Sequence, residues 1–195
     1  MKRSLLAVLA PLLLSAPSLA QEAANAPRLY SVNNGDSSIT YHLKHKLHVV
    51  DGTAHPAEGK ARILPDGTLQ VAVRANVADF DSGNANRDAH MKEATEAAKF
   101  PTIEFKGVAS GVKVPASFPS EQSVVVKGQL TFHGVKQPVE VPMKVVFTSA
   151  KEVTAESKFQ VSLESFKVER PSLLMVQVDD ALDMETKFKL KEEGK

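Results

Sequence analysis

Six histidines, two pairs of adjacent carboxylates and an Arg-Asp-x-His run are the residues of this 195-residue chain whose types and spacing could do chemistry. His42, His45 and His48 recur every third residue. On one continuous strand, side chains alternate between faces, so His42 and His48 point outward and His45 inward. The outer two then lie about 20 Å apart by the rise per residue and cannot share an ion. The sequence contains no His-Glu-x-x-His motif and no cysteine, so a zinc-type cluster is not expected and no cofactor is called for. Asp179-Asp180 and Glu192-Glu193 are neighbours only along the chain, and strand neighbours face opposite ways, which denies them joint acid/base work. There is no Gly-x-Ser-x-Gly nucleophile elbow and no phosphate-cradling glycine loop. The expectation is a binding protein, not an enzyme.

The elements that must position these residues read as antiparallel strands with one helix. Ile39, Tyr41, Leu43, His45, Leu47 and Val49 form one face of a first strand, with Thr40, His42, Lys44, Lys46 and His48 on the other. Pro65-Asp66-Gly67 is a turn, because proline presets its dihedral and glycine accepts positive φ. It joins residues 61–64 to a strand whose Leu69, Val71, Val73, Ala75 and Val77 share a face. A second hairpin turns at His133-Gly134, between the series Val124 to Phe132 and the series Val139 to Phe147. Phe159, Val161 and Leu163, then Leu182, Met184, Thr186, Phe188 and Leu190, complete the set. A helix is expected over residues 85–98, approached by Asp81 or Ser82 as cap, with Asp88 in its first turn and Phe100-Pro101 as its stop. Met91, Ala94 and Ala98 form a narrow stripe on it, suited either to a lid across a barrel mouth or to a patch on a sheet edge. Alternation with one wet face leaves sandwich and barrel both open.

Residues 1–20 have the form of a signal peptide. Lys2 and Arg3 precede an apolar run from Leu5 to Leu14, and Ser18-Leu19-Ala20 supplies the small residues before an expected cleavage after Ala20. Residues 21–27 read as a flexible lead-in, and 28–195 as a single domain. The chain carries 24 Lys+Arg against 23 Asp+Glu, and loss of Lys2 and Arg3 leaves a slight acidic excess. Without clustered surplus cations a nucleic-acid partner is not expected.

Three stretches carry a family resemblance. Phe80-Asp81-Ser82-Gly83-Asn84, then Arg87-Asp88-x-His90-Met91, then Pro101-x-Ile103-x-Phe105 are similar to the signature of the YceI-like polyisoprenoid-binding family. Gly128-x-Leu130-Thr131, followed by Gly134-Val135 and Pro138-Val139, resembles that family's strand-turn-strand segment, and Asp179-Asp180-x-Leu182-x-Met184 its closing strand. Where many members carry Phe-Gly, this chain has Phe166-Lys167.

The resemblance implies a mainly β fold: one antiparallel, lipocalin-like β-barrel of about eight strands with the short helix near residues 85–98. It implies a periplasmic carrier whose interior holds a polyprenyl lipid or an isoprenoid quinone, with transient membrane contact, as monomer or homodimer. Tyr41, Leu43, His45, Val73, Met91, Phe105, Phe132, Met143, Phe159 and Val161 would then line the apolar cavity. Arg87, Asp88 and His90 would either hold a ligand head group or tie the helix to the barrel, an Arg guanidinium suiting phosphate geometry. His45, matching a family histidine, is either a core residue satisfied by backbone or a head-group contact. The alternatives are a secreted stress or interaction module with a filled core and, more remotely, a periplasmic enzyme acting on a small amphiphile.

Overall fold

A computed structural model describes residues 26–46, 48–170, 172–173 and 176–194. The expected signal peptide, most of the lead-in, and Leu47 lie outside the described residues.

Among the described residues, twelve strand segments form the fold: β1 (Arg28–Val32), β2 (Ser38–His45), β3 (His48–Ala54), β4 (Glu58–Ile63), β5 (Leu69–Asn76), β6 (Thr102–Ala109), β7 (Ser120–Phe132), β8 (Val135–Phe147), β9 (Glu152–Ser162), β10 (Ser172–Leu173), β11 (Val176–Gln177) and β12 (Ala181–Glu192). The order β1-β4-β5-β6-β7-β8-β9-β12 closes on itself because β12 also pairs with β1, giving an eight-stave antiparallel barrel. Closure leaves no bare edge around that ring. β12 is shared: Leu190 to Glu192 pair with β1, and Leu182 to Lys187 pair with β2. β2 continues β1, and β3 runs into β4, so these four segments act as two bent staves. The free side of β3 meets the chain after β5 through one bridge, Thr53 to Asp81.

The predicted hairpins form as read. Gly67, at φ +83°, turns β4 into β5, and His133 and Gly134, at φ +51° and +70°, make the tight reversal from β7 to β8 that matches strand twist. One expectation for the strands fails. The alternating run from Ile39 to Val49 is not a single strand: it reverses after His45, and His48 pairs back across to His45. In a tight hairpin, paired residues share a face, so a turn of two residues inverts the alternation phase. Leu43 therefore sits opposite Val50, His42 opposite Asp51, and Val49 opposite Lys44. Val49, expected on the apolar side, is 53% exposed. The argument from a 20 Å separation of His42 and His48 falls with the strand, although among the described residues no group of three or more His, Asp or Glu is placed to hold an ion.

The helix α1 spans Ala85–Ala94, and residues 95–98 continue it only as turns. Its cap is Asn84, not Asp81 or Ser82: the Asn84 carboxamide oxygen accepts from the Asn86 and Arg87 amides. Asp81 instead accepts from the Gly83 amide, and Ser82 donates to Asp88. No residue of α1 is fully buried, so it rests on the barrel end without belonging to the core.

Candidate functional site

The barrel interior divides along its axis. At the end away from α1, Ile63, Leu69, Val126, Val145 and Phe147 are buried in one packed cluster with Tyr30. At the α1 end, Phe132, Val161, Leu163, Phe166 and Val168 pack in a second cluster, against which Leu43, Met91, Leu182 and Met184 are partly buried. Between the two lie Val71, Val73, Phe105, Val139, Met143 and Phe159. Each alternates with exposed outward neighbours and so points inward, yet each is only half-buried. An inward side chain that keeps accessible surface borders unfilled space. The interior between the two clusters, the lumen, is thus lined by apolar side chains less fully enclosed than those of the lower end.

The lumen is almost free of unmet polarity. Ser157 and Thr186, inward on β9 and β12, satisfy each other at 2.7 Å. Tyr30 differs: it is 2% exposed, its hydroxyl has no partner among the described residues, and burial pushes its phenol pKa up. A buried hydroxyl without a bond carries its full desolvation cost. Tyr30→Phe is accordingly expected to raise stability by about 1 kcal/mol, seen as a higher urea midpoint with an unchanged slope.

The sequence-derived candidates fall into three sets. Val73, Phe105, Met143 and Phe159 border the lumen, and Tyr41, Leu43 and Met91 stand half-buried beneath or on α1. Tyr41 packs against Phe80 at 5.6 Å between centroids and folds over Gly52, where any side chain would strike its ring. Burial raises its phenol pKa, and the nearby Asp88 carboxylate adds to that shift. Phe132, Val161 and His45 form the second set, buried within packed structure. Phe132 packs on Phe166 at 5.7 Å, and His45 lies 5.3 Å from the His48 ring.

The third set is the Arg87, Asp88 and His90 group. The Arg87 guanidinium donates to the Ser82 carbonyl at 2.8 Å and to its hydroxyl at 3.3 Å. Asp88 accepts from the Ser82 hydroxyl at 2.6 Å and from its amide at 3.0 Å, which holds its carboxyl below the usual range. Both side chains thus fasten the first turn of α1 to the Ser82 segment. His90 is 76% exposed and lies 3.5 Å from Glu93, directed away from the lumen.

Residues that the sequence reading placed in strands or motifs but not in the cavity complete the mouth: Phe80, Val77, Phe166 and Leu163. Phe166 is held by the turn that Lys167 closes at φ +58°, the left-handed conformation that glycine usually supplies. The replaced glycine was the available signal. Nearby, the Phe166 carbonyl lies 3.1 Å from Nδ1 of His133, which stacks edge-on against Phe100.

The YceI-like domain profile matches residues 30–190. Among solved structures, a polyisoprenoid binding domain from Saccharophagus degradans implicated in plant cell wall breakdown is similar at a TM-score of 0.66 and 16% identity, over 84% of this chain and 98% of that one. BcnA of Burkholderia cenocepacia is similar at 0.64 and 19%, over 81% and 98% respectively. At such identities they share the fold. No curated protein matches the sequence. A closed eight-stave barrel bearing one helix at its mouth, in a chain whose residues 30–190 fit one profile, makes this protein a member of the YceI-like family.

Proposed function

We propose that this protein is a periplasmic carrier that holds a long apolar chain, a polyprenyl lipid or an isoprenoid quinone, in the lumen between its two packed clusters, and that it does no chemistry of its own. The half-burial of inward-facing Val71, Val73, Phe105, Met143 and Phe159 carries the reading. The leader-like residues 1–20 support the compartment. Each isoprene unit removed from water gains roughly 4 kcal/mol at ~0.8 kcal/mol per carbon group. A bilayer offers nearly the same gain, so transfer between the two is close to balanced. Such a balance suits a carrier that both loads and unloads. The filled lower end limits how deep a chain can reach without displacing side chains, and α1, none of whose residues is fully buried, covers the way in.

The chain has no tryptophan, which makes Met91→Trp both an obstacle at the mouth and a reporter there. Its emission is expected to shift to shorter wavelength on adding a polyprenyl lipid, saturating at one per chain. Uptake of a fluorescent polyprenyl analogue by the same variant is expected to be slower than in the wild type, with little change in Tm. Emission that never responds to a long-chain lipid contradicts the reading.

A further inference from the structure

The outer wall formed by β1, β4, β5, β6 and β7 bears two adjacent cross-strand rows. One runs Leu29, Arg62, Gln70, Val108, Lys127, and the next runs Ser31, Lys60, Ala72, Lys106, Gln129. At about 4.8 Å per strand the rows span about 20 Å. Four cations thus alternate with short or apolar side chains around a shallow groove of about 540 Å³. Leu29 and Val108 are 45% and 51% exposed in it. Glu193 lies 3.4 Å from Lys60 and Glu140 lies 2.8 Å from Lys127. Arg62 and Lys106 have no acidic partner among the described residues. Within these two rows Lys60, Arg62, Lys106 and Lys127 outnumber the adjoining Glu193 and Glu140, while Glu58 and Glu104 flank Arg74 in the next row, so the net positive charge is local to the two rows.

We propose that this wall docks the protein on an anionic lipid bilayer, an inference that rests on the carrier reading and names its partner surface. Exposed aliphatic side chains among Lys and Arg suit the headgroup boundary, where cations meet phosphates and apolar groups enter beneath them. The long Lys and Arg stems add apolar contact while their charged ends stay at the surface. The helix α1 lies on the connection from β5 to β6, two of the five strands of the patch, so docking lays the wall that carries the lid along the membrane that supplies or receives the lipid, with the two rows toward the packed end.

The test uses vesicles of phosphatidylglycerol with phosphatidylethanolamine, compared with phosphatidylcholine alone. Wild-type protein is expected to partition at least tenfold more strongly onto the anionic vesicles, and less so as salt is raised. Arg62→Glu/Lys106→Glu is expected to lose at least tenfold of that binding, whereas Lys158→Glu/Lys187→Glu on β9 and β12, outside the patch, stays within twofold of wild type. Equal partition onto both vesicle types, or wild-type binding by Arg62→Glu/Lys106→Glu, overturns the proposal. Capture on polyglutamate, or self-association that Arg62→Glu/Lys106→Glu abolishes, without vesicle binding, also overturns it, in favour of an acidic protein or a second copy. Lipid content of the purified protein, read by native mass spectrometry, separates the two ideas. An empty lumen with intact vesicle binding refutes the carrier reading alone, and a loaded lumen without vesicle binding refutes the docking wall alone.

Discussion

Phe132→Ala is expected to cost about 3–5 kcal/mol of folding stability, whereas Phe159→Ala, an identical deletion on a neighbouring part of the interior, is expected to cost about 2 kcal/mol or less. Phe132 is 7% exposed and packed on Phe166 in the cluster at the mouth, so its removal leaves a cavity walled by buried side chains. Phe159 also points inward but is only half-buried, so its removal leaves less of a closed cavity. Ligand retention should respond in the opposite sense: Phe159→Ala alters it while Phe132→Ala acts chiefly through stability. Urea melts of both variants, with bound-lipid counts, check this. Equal large losses would mean that the lumen is packed.

The second large effect lies in the wall beside that lumen. Gly128 faces Gly107 across β7 and β6, and the Phe105 ring lies over both. A Cβ at 128 would collide with the Lys106 carbonyl and stand 2.7 Å from the Gly107 Cα, backbone atoms that no rotamer change can move aside. Gly128→Val is therefore expected to cost at least about 3 kcal/mol or to prevent folding. Gly83 gives the contrast. It adopts φ +71° with open space where a Cβ would stand, so Gly83→Ala meets only backbone strain, roughly 1–2 kcal/mol. Circular dichroism melts of the two variants rank them. A Gly128→Val protein as stable as wild type would contradict the close approach of β6 and β7.

Much of the barrel was legible in the sequence because its signals are local. Period-two alternation, Pro65-Asp66-Gly67 and His133-Gly134 each act within a few residues, and the strands they delimit are present. The reversal after His45 was not legible, because a two-residue turn can sit inside an unbroken alternating pattern without a glycine or proline to mark it. Asn84 was overlooked as the cap for a related reason. Four capping-type residues, Asp81, Ser82, Asn84 and Asp88, crowd the helix start, and only the backbone path decides which one meets the first amides. The site was less legible still. Alternation shows which side chains point inward, but whether they touch one another depends on barrel diameter, which no local pattern reports. Phe132 and Phe159 look alike in sequence and differ in burial. The family motif left Arg87 and Asp88 between a head-group contact and a tie of the helix to the barrel, and only the structure shows their bonds to Ser82, which fasten the first turn of α1.

The direct measurement is native mass spectrometry, with organic extraction, of protein expressed from the whole 195-residue sequence and purified without added lipid. The account predicts one long-chain apolar molecule per chain, released when the barrel unfolds. A recovered protein that is uniformly empty, and that takes up no polyprenyl lipid or isoprenoid quinone when these are supplied, would contradict it and leave the barrel interior as a core.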